Sequence, residues 1–179
     1  MRSKLVIALL LCQAVAFGQE IDNSRKYKKE GIVATKHGEL TMIKKLRILP
    51  ADRPRLWVSV QKEADARLLL DFHGTALNIY YRIDEGDSAI ILHLENGGAV
   101  SLVALRTERT APKKDEVVNE WDNEFLVNKE NLAQLKLHKI KSVTLNPKRG
   151  SRYTYPVEES MQDFIMKALE LVERTSVSQ

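Results

Sequence analysis

The sequence predicts an α+β protein: a mainly antiparallel sheet or partial β-sandwich, with a short helix near 129–137 and a C-terminal amphipathic helix near 160–174. Three observations lead there. Apolar residues recur at every second position through most of the chain, the spacing that sends successive strand side chains to opposite faces. Strand-like runs follow one another through short polar turns, which suits antiparallel neighbours better than crossover connections. Only near the C-terminus does the apolar period change to that of a helix.

The chain opens on an expected signal peptide, residues 1–18. Arg2 and Lys4 precede an apolar run from Leu5 to Phe17, interrupted only by Gln13. That run falls short of the roughly 20 apolar residues a spanning helix needs. Ala14-Val15-Ala16 and Ala16-Phe17-Gly18 offer small-x-small cleavage patterns, and cleavage is expected after Gly18. A competing reading makes Cys12 a lipid anchor. The residue before an acylated cysteine should be small, whereas Leu11 is branched. Removing residues 1–18 takes away the one cysteine of the chain, so the mature domain is expected to stand without disulfides. The expected location is periplasmic or secreted, with no transmembrane span after processing. Residues 19–30 read as a flexible lead-in, 31–175 as a single globular β-rich domain, and 176–179 as a tail.

Within the domain, Ile32–Thr35 and Met42–Ile48 read as the first strands, closed by Pro50 and Pro54. In "RLWVSVQ", Leu56, Val58 and Val60 share one face, while Arg55, Trp57, Ser59 and Gln61 share the other. "ARLLLDF" follows, with Leu68, Leu70 and Phe72 together, and His73-Gly74 reads as a break before "LNIYYRI". Ile90, Leu92 and Leu94 share one face of their run, as do Val100, Leu102 and Ala104 of the next, and Glu95-Asn96-Gly97-Gly98 lies between the two. Asn96-Gly97 predicts a two-residue hairpin turn, in which both central residues take positive φ. The charged segment 107–119, with Pro112, reads as a surface loop, and "EWDNEFLV" as a strand with Phe125 and Val127 on one side.

Asn128 can cap a helix over 129–137 that turns Leu132 and Leu135 inward. "KIKSVTL" returns to strand spacing, Asn146 to Gly150 turns, and "SRYTYPV" completes a second hairpin. Ser160 and Asp163 resemble a capping box for the last helix. Its stripe of Met161, Phe164, Ile165, Ala168, Leu169 and Val172 requires a surface to dock on.

Charge and motifs exclude more than they establish. The chain has 28 basic and 24 acidic residues; loss of Arg2 and Lys4 leaves 26 against 24, or +2. That balance argues against nucleic acid as a partner. His37, His73, His93 and His138 fall in no zinc-binding pattern. His93 and Glu95 form a polar pair to check, since residues two apart on a strand share a face. "DEGD", Asp84 to Asp87, reads as a turn, because the ligand spacing of a calcium loop is missing. Neither a nucleophile elbow nor a Gly-rich phosphate loop occurs. No catalytic residue, metal ligand or cofactor is assigned.

Amphipathic aromatics beside arginines remain. Trp57, Arg55, Tyr80, Tyr81, Arg82, Tyr153 and Tyr155 are the candidate ligand-binding residues, and the competing reading is that the aromatics fill the core. The expected function is an exported non-catalytic binding or envelope-associated module, whose partner is an unknown protein or carbohydrate of the cell envelope. One alternative is an exported hydrolase in which at least two of Asp71, His73, Asp84, His93 and Glu95 converge. Another is a structural subunit of an envelope assembly.

The N-terminal "AVAFGQE" resembles the signal ends of secreted precursors of Bacteroidota-type bacteria. The last third, with "ENLAQLKLHKI", "KSVTL", a tyrosine strand and a closing helix, is similar to uncharacterised exported β-rich domains of such bacteria. The resemblance implies location and architecture, and brings no catalytic residue with it.

Overall fold

A computed structural model describes residues 25–77, 81–110 and 118–175. The expected signal peptide, Cys12, Tyr80 and the tail 176–179 lie outside the described residues. In chain order the elements are α1 (Arg25–Lys29), β1 (Ala34–His37), β2 (Leu40–Ile43), β3 (Leu46–Arg47), β4 (Leu56–Lys62), β5 (Leu68–Leu77), β6 (Tyr81–Ile83) and β7 (Ser88–Leu94). There follow β8 (Ala99–Ala104), β9 (Glu108–Thr110), β10 (Val118–Leu126), α2 (Lys129–Leu137), β11 (Ile140–Leu145), β12 (Tyr153–Pro156), a 3₁₀ turn (Glu159–Met161) and α3 (Phe164–Thr175).

One large sheet runs β1-β2-β4-β5-β10-β8-β7-β11-β12, with β3 also on β4, and β6 pairs β9 in a small second sheet. Every pairing among the described residues is antiparallel, so the chain is a β-rich α+β protein. The large sheet must curl. β3 and β12 lie seven strand steps apart in its order, about 33 Å if flat at about 4.8 Å per step. Yet Glu158 N, just past β12, donates to Ile48 O, just past β3, at 2.9 Å. The concave face holds the core, including Val58, Leu70, Phe72, Ile90, Leu92, Leu102, Phe125 and Val143.

α3 fills that concavity. Phe164, Ile165, Ala168, Leu169 and Val172 are buried as their spacing predicts, and Leu171 joins them. The helix proper starts four residues after Ser160, because Glu159–Met161 forms a 3₁₀ turn; the expected Ser160–Asp163 capping box does not open α3. Asn128 caps α2 as expected, its Oδ1 accepting from Asn131 N at 2.8 Å. α2 also covers an exposed edge. β10 pairs β8 only through Val103 and Ala104, and the Asn131 amide donates to Ser101 O at 3.0 Å where β8 is otherwise free of β10.

The β7–β8 hairpin forms, but its turn is not the expected one. Leu94 N donates to Gly98 O and Gly97 N to Leu94 O, so three residues, Glu95-Asn96-Gly97, make the loop. Only Gly97 among them has positive φ, 86°. The reason is register. A two-residue turn on Asn96-Gly97 would set Leu92 opposite Ser101, whereas the observed register sets Leu92 opposite Val100 and Ile90 opposite Leu102. Burying both apolar rows on one face outweighs local turn preference.

Three further expectations are corrected. His73-Gly74 is no break: β5 runs through it, and Gly74 faces Trp121 directly across β10. A Cβ at Gly74 would stand 2.4 Å from Trp121 Cε2, so the missing side chain is what admits the indole. The loop expected at 107–119 contributes strand at both ends, Glu108–Thr110 in β9 and Val118–Asn119 in β10, while residues 111–117 lie outside the described residues. Charge does not prevent this, because Arg109 faces solvent while Thr110 turns inward.

The third concerns the lead-in, whose end is anchored. Tyr27 of α1 is buried, and its hydroxyl donates to Glu170 of α3. Glu30 and Asp163 meet at Lys167, 2.6 and 2.8 Å from its Nζ. Burial first, then the Glu170 bond, pushes the Tyr27 phenol up to about 12. The same bond is the main cause that holds Glu170 below its usual value of 4.5.

A depressed acid stabilises above its unfolded value and loses that contribution as pH falls through its folded one. A raised phenol does so below its unfolded value and fails as pH climbs through the folded one. The contact therefore acts fully between the ordinary values of 4.5 and 10.0. Tyr27→Phe should cost about 1 kcal/mol in that window, or about 2–4 °C in Tm. Thermal melts of variant and wild type should converge in acid, below the folded value of Glu170.

Candidate functional site

Across the convex face of the sheet, register assembles side chains from distant parts of the chain. Arg47 of β3 stands opposite Trp57 of β4, Trp57 opposite His73 of β5, and His73 opposite Asp122 of β10. One row further along, Ser59 stands opposite Asp71 and Asp71 opposite Glu124. Residues two apart on a strand share a face, so these rows form one surface, which also carries Arg55.

Trp57 is the half-buried aromatic of this surface, tilted 46° against His73 with ring centroids 5.1 Å apart. Arg47 is held beside it. Its Nη2 donates to the carbonyl oxygens of Pro50, Ala51 and Arg53 at 2.8, 3.3 and 3.0 Å. Arg55 is exposed, and its backbone locks the strand end: Arg55 N donates to Thr75 Oγ1 at 3.0 Å.

Below Trp57 lies a mixed-charge cluster. Lys45 Nζ reaches Asp71 Oδ2 at 2.8 Å and Asp122 Oδ2 at 3.9 Å. Gln61 Nε2 donates to Asp71 Oδ2 at 3.2 Å. Arg106 Nη2 donates to Asp122 O at 3.2 Å and lies 3.5 Å from its carboxylate. Burial above all, and then the neighbouring Asp122 carboxyl, pushes Asp71 above the usual carboxylate range, against the pull of Lys45. Two carboxyls are thus balanced by two cations under an accessible indole. Such a surface offers hydrogen bonds of both kinds and an aromatic face for a polar ligand to stack on.

The candidate aromatics do not gather in one patch. Tyr81 belongs to the core: it is buried and stacks on Trp121 with centroids 5.6 Å apart. Arg82 pairs with Asp84 and bridges to Arg149 through the backbone. Tyr153 and Tyr155 stack on each other at 6.0 Å on the concave side of β12, opposite to the face of Trp57. Of the seven, Trp57 and Arg55 share the convex surface. Lys45, Arg47, Arg106 and Asp122 join them without having been expected; period two places each on a face but does not say which strands become neighbours.

The five residues of the hydrolase alternative make no hydrogen bond to one another among the described contacts. Asp71 and His73 share a strand face; the rest are elsewhere. His93 Nε2 bonds Thr144 Oγ1 at 2.7 Å rather than Glu95. Glu95 sits in the turn, beyond the end of β7, and its Oε1 accepts from Lys139 N at 3.1 Å. "DEGD" is the expected turn, with Gly86 at φ 85°. Arg82 first, then Lys148 at 2.7 Å, holds Asp84 down to about 2.

Among the described residues no three His, Cys, Asp or Glu side chains are grouped to hold a metal ion. No described helix is long and apolar enough to cross a membrane. An open cleft of 450 Å³ lies between the β1–β2 and β4–β5 turns, lined by His37, Glu39, Glu63, Asp65 and Arg67. Arg67 already pairs there with Glu63 and Asp65, at 2.8 and 2.7 Å. Comparison with protein-family models, curated proteins and solved structures finds no match to this chain.

Proposed function

We propose that the chain is an exported, non-catalytic binding or envelope-associated module that takes its ligand on the convex face around Trp57. The observation that carries this reading is the position of Trp57: half-buried on an open sheet face, leaning on His73 and flanked by Arg47 and Arg55. An aromatic beside guanidinium groups is the composition that dominates binding surfaces. Export is supported by the charged, apolar and small-residue order of residues 1–18. The small sheet, stacked through Tyr81 on Trp121, supports a partial sandwich as the finer description of the fold.

A hydrolase is the second reading, favoured by the proximity of Asp71 and Asp122. Against it, Lys45 is ion-paired to the carboxylate that would act.

Capture from an envelope fraction tests the first reading. With residues 19–179 as bait, wild type should retain a protein or polysaccharide that Trp57→Ala retains about tenfold less. Identical capture by both, with Trp57→Ala still folded, contradicts the assignment. Intact or acylated N-termini on protein recovered from cells contradict export by cleavage.

A further inference from the structure

Around Trp121, four polar side-chain atoms are buried with no hydrogen-bond partner among the described residues: Tyr81 Oη, Thr110 Oγ1, Trp121 Nε1 and Asn123 Oδ1. They share one neighbourhood. Tyr81 and Thr110 are directly opposed across β6 and β9. Tyr81 stacks on the Trp121 ring, and Asn123 follows Trp121 by two residues on the same concave-facing side of β10. None of the four residues is more than 9% exposed.

The orientation of Asn123 is fixed, because its Nδ2 donates to Arg106 O at 2.8 Å and the amide oxygen has no proton to give. Its Oδ1 is therefore an acceptor left inside. Burial alone raises the Tyr81 phenol above its ordinary range, with neither a charge nor a bonded neighbour contributing.

Buried polar atoms in folded proteins are nearly always bonded, so four on neighbouring residues call for a partner from outside the chain. Their chemistry defines it. The indole N–H can only donate, the amide oxygen can only accept, and the two hydroxyls can do either. A bridging group must itself donate and accept, and must be small enough for a packed interior.

We propose that Tyr81, Thr110, Trp121 and Asn123 form an internal binding site for a hydroxyl guest, supplied by bound water or by the alcohol groups of a small polyol. The site is distinct from the Trp57 surface, since Trp121 and Asn123 lie on the other side of the sheet.

The sign of a melting-point change tests it. Tyr81→Phe and Thr110→Val each delete a hydroxyl with little change of shape. Where a guest bonds both hydroxyls, each variant melts several degrees lower and the double variant loses less than the sum. Where the hydroxyls are bare, deleting them relieves a buried, unbonded group and the melting point stays or rises. That result overturns the proposal. If Tyr81→Phe does not fold, Thr110→Val carries the same test.

A high-resolution crystal structure of residues 19–179 supplies the second arm. Density bonded to at least two of the four atoms supports the site, and bonds from all four to protein groups overturn it. Refolding from denaturant in plain buffer separates the sources. An unchanged melting point identifies water, and a fall reversed by glycerol identifies a polyol.

Discussion

Gly74→Ala is expected to destabilise the chain by about 3 kcal/mol, a fall of about 6–12 °C in Tm, although it adds a single methyl group. The new Cβ would stand 2.4 Å from Trp121 Cε2 and 2.6 Å from Nε1. Neither side can give way easily. Gly74 is mid-strand, paired to both β4 and β10, and the Trp121 ring is 1% exposed and stacked by Tyr81. Packed interiors transmit such an overlap instead of absorbing it. Trp121→Leu alone should cost about 3–5 kcal/mol through the cavity it leaves. Combined with Gly74→Ala it should cost clearly less than the sum, because the leucine vacates the space that the methyl needs. Additive losses in denaturant melts would mean that the two positions do not touch.

Leu169→Ala is the second large effect, about 3 kcal/mol, since it empties a fully buried position on α3. α3 reaches the core through its apolar stripe, in which Phe164, Ile165, Ala168, Leu169, Leu171 and Val172 are all buried. Leu137→Ala is the control. The two leucines are chemically alike, but Leu137 at the end of α2 is 68% exposed, so its loss should change stability by less than about 0.5 kcal/mol. Equal effects in chemical denaturation would show that α3 is not the docked helix described.

What was legible in the sequence follows from which patterns are local. The α3 stripe, the Asn128 cap and the alternating rows of β4, β7 and β8 depend on neighbours within a few residues, and they were readable. Partner choice was not. β10 inserts between β5 and β8, which are adjacent in neither sequence nor expectation, and nothing in the period-two pattern of "EWDNEFLV" names those partners. The turn of the β7–β8 hairpin was misread because the local preference of Asn96-Gly97 was weighed without the cross-strand pairing of Leu92 and Val100.

The site was legible in part for the same reason. Alternation put Trp57 and Arg55 on the polar face of their strand. Bringing Lys45, Arg47, Arg106 and Asp122 beside them takes the pairing of β3, β4, β5 and β10, of which the β5–β10 pairing joins segments far apart in the chain. Whether Tyr81 binds a ligand or fills the core stays open in the sequence, because an aromatic before an arginine looks the same whether its ring meets solvent or Trp121. The local signal is Gly74 in the middle of a strand, which marks where the Trp121 ring must fit, and Tyr81 is buried by stacking on that ring.

The central claim is that the convex face around Trp57 meets a ligand while Trp121 belongs to the interior. Hydroxyl-radical footprinting read by mass spectrometry reports on both tryptophans in one sample of residues 19–179. Without partner, Trp57 should be oxidised readily and Trp121 hardly at all; adding solubilised envelope fraction should protect Trp57 and leave Trp121 as it was. Equal oxidation of Trp57 with and without that fraction, or ready oxidation of Trp121 in the folded chain, would contradict it.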